Sequence, residues 1–167
     1  MVTRKKKQWK RIVWGSMCIL GVIMFIPSAE AEQPFDITCC YSGKLTMVSQ
    51  SKELRVLGGE AQGISQSNHE NKAFDNMTLH YMFIMRITDG KEFATAYIKG
   101  MDPDGDTFVQ EQTRVGLEVT CKFLEGTGKW KGIKGGGTGK IITRGKPITP
   151  GTTQGCYRMI GTFELPK

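Results

Sequence analysis

Residues 77–91 read MTLHYMFIMRITDGK, and this stretch decides the fold. Apolar side chains occupy every second position of residues 77–87; they are Met77, Leu79, Tyr81, Phe83, Met85 and Ile87. Strict alternation of this kind predicts a β-strand that buries one face. The Asp89-Gly90 pair that follows favours a two-residue type I′ turn, because both turn positions need a positive φ. The sequence therefore predicts a β-hairpin centred on Asp89 and Gly90.

This turn also sets the register of the predicted hairpin. Residues that then face each other on the apolar side are Met85 and Ala94, Phe83 and Ala96, and Tyr81 and Ile98. Large side chains opposite small ones allow facing layers to interdigitate at high density. We therefore expect this side of the hairpin to face the interior of the domain.

The opposite side of the hairpin is too apolar to be fully solvated. It carries Met82, Ile84, Phe93 and Tyr97 among polar residues. Contiguous exposed apolar surface often marks an interaction site. We expect this side to contact a loop or to join copies of the chain in a homo-oligomer.

Short strands of the same character follow one another along the rest of the chain. From Asp36 onward glycine punctuates the sequence every eight to twelve residues, with alternating polarity between the glycines. No segment has a helical period long enough for a helix, so the pattern is typical of an all-β sandwich or barrel. We predict a small closed antiparallel barrel, formed by residues 32–167 as a single domain.

One predicted strand, residues 107–114, is unusually polar for a barrel and follows an MDPDGD turn at 101–106. A three-residue loop with a bulge would send Gln110 and Gln112 inward, whereas a four-residue loop would send Glu111 inward. In either register a polar group enters an apolar interior, where it needs a partner. The sequence thus indicates a pocket. Its candidate ligand-binding residues are Tyr81, Phe83, Gln110 and Glu111.

The MDPDGD turn imitates the start of a calcium loop without completing one. An EF-hand would need glycine at Thr107, glutamate at Thr113 and flanking helices, none of which the sequence offers. Asp-Pro-Asp-Gly instead favours a type I turn with Gly105 in the left-handed region. Because no C-x-x-C spacing occurs either, we expect no bound metal and no cofactor.

Residues 125–139, EGTGKWKGIKGGGTG, contain seven glycines. The segment lacks the G-x-x-x-x-G-K-[ST] pattern of a phosphate-binding loop. We interpret it as a tight structural corner in which Trp130 plugs one end of the barrel. The glycines assigned to this corner are Gly126, Gly128, Gly132 and Gly135.

The first residues of the chain predict export. Six basic residues and no acidic residue precede an uncharged stretch, 12–26, which is shorter than the roughly 20 residues that a membrane-spanning helix needs. Small residues at Ala29 and Ala31 fit signal-peptidase cleavage after Ala31. We expect a signal peptide at 1–31 and a periplasmic or extracellular mature protein, which meets a membrane only during export; an uncleaved membrane anchor is the alternative.

Export also accounts for most of the net charge of +7. Removal of residues 1–31 takes away six of the 23 basic and one of the 16 acidic residues, which leaves 17 and 15, a net charge of +2. This balance gives no electrostatic reason to expect nucleic acid as a partner.

Four cysteines remain after residue 31, namely Cys39, Cys40, Cys121 and Cys156. In an oxidising compartment an even number suggests disulfide bonds. Neighbouring residues of a strand point to opposite faces, so Cys39 and Cys40 are expected to differ in role. Because the first and last strands of a closed barrel are adjacent, we expect Cys156 to pair with either Cys39 or Cys40.

The glycine-rich segment GTGKWKGIKGGGTG (126–139) resembles the corner of the allene oxide cyclase and dirigent-like β-barrels. The chain is also similar to a group of bacterial secreted proteins of unknown function that share the MDPDGD turn and the carboxy-terminal GTFELP. The resemblance implies an eight-stranded barrel. It does not include the catalytic residues of either enzyme family, so it does not imply their reactions.

These observations favour a non-enzymatic exported barrel that binds a small apolar molecule in its interior. The alternative that the resemblance implies is a cyclase or isomerase, with Glu111 or Tyr81 polarising the substrate. A nucleophile, a base and an orienting group are not visible as a set, and neither His69 nor His80 stands near the predicted pocket. A structural homo-oligomeric module is the third hypothesis.

Overall fold

Eight strands of alternating polarity close into one antiparallel barrel, which confirms the predicted fold class. The computed structural model describes residues 31–166. The strands are β1 (Gln33–Gln50), β2 (Leu54–Ser67), β3 (Thr78–Thr88), β4 (Lys91–Met101), β5 (Thr107–Val115), β6 (Glu118–Gly126), β7 (Lys134–Arg144) and β8 (Thr152–Glu164). Each strand pairs with the next in sequence, and β8 pairs with β1.

The predicted signal peptide lies almost wholly outside the described residues and stays a prediction. Among residues 31–166, none of the secondary structure is a helix long and apolar enough to cross a membrane.

The hairpin of β3 and β4 has the turn and register that its sequence predicts. Asp89 and Gly90 have φ of 50° and 75°, as a type I′ turn requires. Phe83 pairs with Ala96, and Tyr81 pairs with Ile98. The apolar side of the hairpin faces the barrel interior, where Tyr81 is 5% exposed.

The outer side of the hairpin remains exposed in the single chain. Met82, Ile84 and Tyr97 are each more than half exposed, and Phe93 lies beneath the guanidinium of Arg86, whose Cζ is 5.1 Å from the ring centroid. No loop within residues 31–166 covers these side chains.

The loop between β4 and β5 decides the register of β5. Met101 pairs with Thr107, so the connection has five residues, Asp102 to Asp106, which is longer than either loop length considered from the sequence. Five residues have the same parity as three, and the glutamines therefore point inward. Gln110 is 6% exposed inside the barrel. Glu111 lies on the outer face instead, where it accepts a hydrogen bond of 3.1 Å from the hydroxyl of Tyr97.

Aromatic rings close the end of the barrel at which the β2–β3, β4–β5 and β6–β7 loops lie. The Trp130 ring stacks on Phe74 with centroids 4.8 Å apart, and Phe123 stacks on Phe74 at 5.3 Å. Trp130 belongs to a short 3₁₀ turn, Gly128–Trp130, within the predicted corner. At this corner Gly128, Gly132 and Gly135 have positive φ, and a Cβ on Gly126 would lie 2.2 Å from the Trp130 carbonyl oxygen.

Phe74 reaches the barrel axis from the long loop that joins β2 to β3. Its φ is 59°, a region that aromatic residues rarely adopt. The buried Ser65 hydroxyl stabilises this conformation: it donates to the Phe74 carbonyl at 2.6 Å and accepts from the Met77 N–H at 3.3 Å. The loop is thereby fixed across the closed end.

A disulfide joins the first strand to the last. Cys40 and Cys156 are directly opposed across β1 and β8, and their Cα atoms are 4.1 Å apart. This is one of the two pairings that the sequence left open. Cys39 points into the barrel, where burial raises the pKa of its thiol to about 12.

Candidate ligand cavity

A cavity of about 90 Å³ occupies the interior near the opposite, open end of the barrel. At this end lie the β1–β2, β3–β4, β5–β6 and β7–β8 hairpins. The cavity is lined by Tyr41, Leu45, Ala61, Tyr81, Phe83, Met85, Ala94, Ala96, Gln112, Arg114, Ile141, Thr153 and Tyr157. Pockets that enclose a drug-sized ligand measure roughly 300–1,000 Å³, whereas an engineered cavity of about 150 Å³ accepts benzene. At about 90 Å³ the enclosed space is smaller than that benzene site, so a ligand with a ring fits only if part of the ligand extends through the open mouth.

Small residues on β4 create this space. Ala94 pairs with Met85 on one side and Arg114 on the other, and Ala96 pairs with Phe83 and Gln112. Neither alanine side chain extends to the barrel axis, so the large neighbours on β3 and β5 leave room between them. The walls are consequently apolar on β3 and β4 and polar on β5.

Two tyrosine hydroxyls lie deepest among the polar groups of the cavity. The Tyr81 and Tyr157 oxygens are 3.1 Å apart, and burial raises the pKa of both phenols well above the ordinary value. Both hydroxyls are therefore protonated at neutral pH. Cys39 and Gln112 are further hydrogen-bond partners of Tyr157, so it is the Tyr81 hydroxyl that can donate to a ligand oxygen when Tyr157 donates to Tyr81.

Gln112 and Arg114 present donors on the polar wall, and both contact thioether sulfur. Gln112 Nε2 is 3.4 Å from Met159 Sδ, and Arg114 Nη2 is 2.9 Å from Met85 Sδ. A thioether is a weak acceptor. A ligand oxygen would be a stronger partner for either donor.

Arg114 belongs to a group of three charges at the cavity mouth. Glu92 Oε2 lies 3.2 Å from Arg114 Nη2 and 3.0 Å from Arg144 Nη2. Burial lowers the pKa of Arg114, and the nearby Glu92 carboxylate opposes this shift. Glu92 Oε2 is inaccessible to solvent and has no well-aligned hydrogen bond, so these two contacts are ion pairs rather than directed hydrogen bonds.

The four ligand-binding residues predicted from the sequence occupy three kinds of position in the structure. Tyr81 and Phe83 line the cavity. Gln110 is buried one layer closer to the plugged end and is not among the lining residues. The prediction for Glu111 is wrong, because the parity of the five-residue loop sends its carboxylate to the outer face.

Among the lining residues that were missed as site residues, four have a sequence pattern that contained the signal. Tyr41 continues the alternation of Phe35, Ile37 and Cys39, and Tyr157 alternates with Met159 on β8. Gln112 and Arg114 follow Gln110 at intervals of two once the register of β5 is known. Alternation identifies such residues as inward-facing, but it does not reveal which inward layer is left unfilled.

Other candidate chemistry lies away from this cavity. His80 Nε2 is 2.8 Å from Glu60 Oε1 on the outer face, and His69 lies in the β2–β3 loop. Within residues 31–166 no three His, Cys, Asp or Glu side chains converge as a metal site would require.

Solved structures with the same architecture include two dirigent proteins named as pterocarpan synthases. The pterocarpan synthase dirigent protein GePTS1 matches with a TM-score of 0.51 and 11% identity, over 81% of this chain and 93% of that chain. The barrel has a dirigent-like fold. The pterocarpan synthase dirigent protein PsPTS1 matches with a TM-score of 0.50 and 10% identity, over 83% and 98% of the two chains.

At this level of identity the dirigent-like likeness concerns the fold alone. No protein-family model and no curated protein sequence matches the chain. Function in this dirigent-like barrel must therefore be argued from its own cavity.

Proposed function

We propose that this protein binds a small, largely apolar molecule in the cavity at the open end of its barrel. The observation that carries the proposal is the unfilled layer beside Ala94 and Ala96, with hydrogen-bond donors directed into it from one wall. An apolar cavity with a few convergent polar groups is the usual composition of a small-molecule site. The Cys40–Cys156 disulfide supports an oxidising compartment, in keeping with the predicted export signal.

Filling the cavity tests the proposal. We expect the full chain to bind 4-phenylbutanol, a neutral ring with a short chain, and we expect Ala94→Leu to weaken this binding at least tenfold, because the added side chain occupies the ligand space. Thr95→Leu is the matched control, since Thr95 adjoins Ala94 on the outer face of β4. Isothermal titration calorimetry measures both affinities.

Chemical-shift mapping on the wild-type protein keeps the test independent of how well Ala94→Leu folds. Perturbations should cluster at Phe83, Ala96 and Tyr157. No binding by the wild type, or equal weakening by the inner and outer substitutions, contradicts the proposal.

A cyclase or isomerase is the second candidate, and the Tyr81–Tyr157 pair favours it. Two protonated hydroxyls facing an apolar cavity can polarise a substrate carbonyl or ether oxygen by hydrogen bonding. Glu111 has no part in such a reaction, because its carboxylate lies outside the barrel. This candidate requires turnover of an epoxide or phenol that Tyr81→Phe abolishes while ligand binding is retained.

A further inference from the structure

The group of three charges beside the cavity, Arg114, Arg144 and Glu92, holds one more positive charge than negative. Two guanidinium groups, those of Arg114 and Arg144, share the single carboxylate of Glu92. The Arg114 side chain is 15% exposed, compared with 37% for Arg144 and 26% for Glu92. The surplus positive charge is thus partly shielded from water. An anion is attracted more strongly to a partly buried cation than to a fully exposed one.

Arg114 is also the only residue with a formal charge among the side chains that line the cavity. A guanidinium has five N–H donors in a planar fork, and this fork fits a carboxylate with two parallel hydrogen bonds. In the described part of the chain, its side-chain partners are the Met85 thioether and Glu92. The donors directed at the cavity therefore lack an oxygen acceptor of matching geometry.

The register of the strands gives the distance between this charge and the tyrosine pair. Arg114 lies in the layer of Met85 and Ala94, and Tyr81 lies in the layer of Ile98 and Gln110, four residues further along β5. Four residues of strand span about 13 Å between backbone positions. A molecule with an apolar body and one charged end can direct its body into the cavity of about 90 Å³, toward the tyrosine pair, with its charge at Arg114 in the mouth.

We propose that the ligand of this cavity is a carboxylate-bearing amphiphile whose carboxylate binds Arg114 and whose apolar body lies against Phe83, Ala94 and Ala96. This inference rests on the proposed function and narrows it to a chemical class. The protonated hydroxyls of Tyr81 and Tyr157 then face the far end of the ligand, where they favour an oxygen acceptor over a bare hydrocarbon.

A matched pair of probes tests the inference. 4-Phenylbutyrate and 4-phenylbutanol share one body and differ in the carboxylate, so calorimetric titration of the full chain at neutral pH isolates the charge. We expect the carboxylate to bind at least tenfold more tightly than the alcohol. We expect Arg114→Gln to remove this preference, because it lowers affinity for the carboxylate more than affinity for the alcohol.

Two further variants separate direct contact from general attraction and from misfolding. Lys91→Gln removes an exposed cation at the same rim, outside the lining of the cavity, and should leave the preference intact. The double variant Arg114→Gln with Glu92→Gln removes the carboxylate that the single variant leaves without its buried partner, and it should behave as Arg114→Gln does.

The outcomes distinguish the two proposals. Equal affinity of the wild type for both probes overturns the carboxylate inference and leaves the binding function in place. A preference that survives Arg114→Gln, or that Lys91→Gln reduces equally, also overturns it. Binding of neither probe by the folded wild type contradicts the binding function itself.

Discussion

Asp102 is a buried carboxylate on which the closed end of the barrel depends, and Asp102→Asn tests that role. Its side chain is 1% exposed. Oδ2 accepts a hydrogen bond of 2.9 Å from Trp130 Nε1 and lies 2.9 Å from Lys129 Nζ. Oδ1 accepts from the backbone N–H groups of Asp104 and Asp106 at 2.9 and 3.0 Å.

The cost of Asp102→Asn follows from these four contacts. If the amide oxygen keeps the two backbone donors, the amide nitrogen faces the Trp130 indole N–H, and two donors then meet without an acceptor. Flipping the amide only moves the conflict to the backbone donors. An unsatisfied buried donor costs about 1–3 kcal/mol, and loss of the ion pair with the half-exposed Lys129 adds at most about 1 kcal/mol. We expect a total loss of about 2–4 kcal/mol in the free energy of unfolding.

Urea denaturation measures this loss directly. With a slope of about 2 kcal/mol/M, in the middle of the range for a small protein, the midpoint should fall by about 1–2 M. Asp104→Asn is the matched control, because Asp104 contacts the same Lys129 at 2.9 Å but its side chain is 75% exposed. Surface pairs of this kind contribute about 0–1 kcal/mol, so the control should shift the midpoint little.

The difference between wild type and Asp102→Asn should also depend on pH. Burial by itself raises the pKa of Asp102, but hydrogen bonds from Lys129, Trp130 and the Asp106 N–H outweigh burial and hold the pKa below its ordinary value. A lowered folded-state pKa stabilises the protein above the unfolded-state pKa of about 4, and this contribution disappears as the pH falls through the folded-state value. The stability gap should therefore be constant between pH 5 and 7 and narrow below pH 4. A gap that is no larger than that of Asp104→Asn, or one that does not narrow in acid, would refute this account of the closed end.

Two further predictions concern the disulfide between β1 and β8 and the Tyr81–Tyr157 pair. Reduction of the Cys40–Cys156 disulfide, which closes a loop of 116 residues, should lower the free energy of unfolding by about 5 kcal/mol on a chain-entropy estimate. Dithiothreitol should have no such effect on a Cys40→Ser, Cys156→Ser variant, and an equal effect there would contradict the assignment. Burial raises the pKa of Tyr81 and Tyr157 in the folded state, so their contribution to the free energy of unfolding should be fully present below the unfolded-state pKa of about 10 and decline above it. Absorbance titration of the folded protein should show both phenols still protonated at pH 10. Ionisation of the two phenols at that pH without unfolding would refute their placement in the barrel interior.

Local sequence patterns predicted the structure correctly where a single short stretch of the chain determines it. The Asp89-Gly90 turn fixes its own φ angles and, through them, the pairing of Phe83 with Ala96. Alternation and glycine spacing predicted a sandwich or barrel of short strands, and the count of eight came from the resemblance. The hairpin turn is decided by local interactions, whereas closure pairs β1 with β8 across the length of the described chain.

The register of β5 could not be predicted from the sequence, because the length of the β4–β5 loop depends on contacts between residues that are distant in the chain. The β4–β5 loop has five residues because Asp102 accepts from Asp104 and Asp106 within the loop and from Trp130 on another loop. Asp104 and Asp106 in turn bind the side chain and the backbone N–H of Lys129. The sequence contains all of these residues, but their pairing requires the folded corner. The sequence consequently left the register of β5 open, and Glu111 was included among the candidate ligand-binding residues although its carboxylate lies on the outer face.

Phe74 had no sequence signal at all. It lies in a polar loop, outside any alternating segment, and its positive φ is unfavourable for an aromatic side chain. The conformation is stabilised by Ser65 and by stacking on Trp130 and Phe123, which are distant in sequence. Only the tertiary structure brings these groups together.

The position of the cavity depends on which small inward-facing residues are covered by a neighbouring aromatic ring and which are not. Small inward residues occur at both ends of the barrel, so their presence alone does not locate a site. Near the plugged end the ring of Phe108 covers Gly100, and the ring of Phe35 covers Gly137; a Cβ built on either glycine would lie within 3 Å of that ring. Ala94 and Ala96 have no such ring over them, because the residues opposite them on β5 are Arg114 and Gln112. The unfilled layer and the polar wall therefore arise from the same two positions, and substitutions at Arg114 and Gln112 should alter ligand selectivity before they alter the fold.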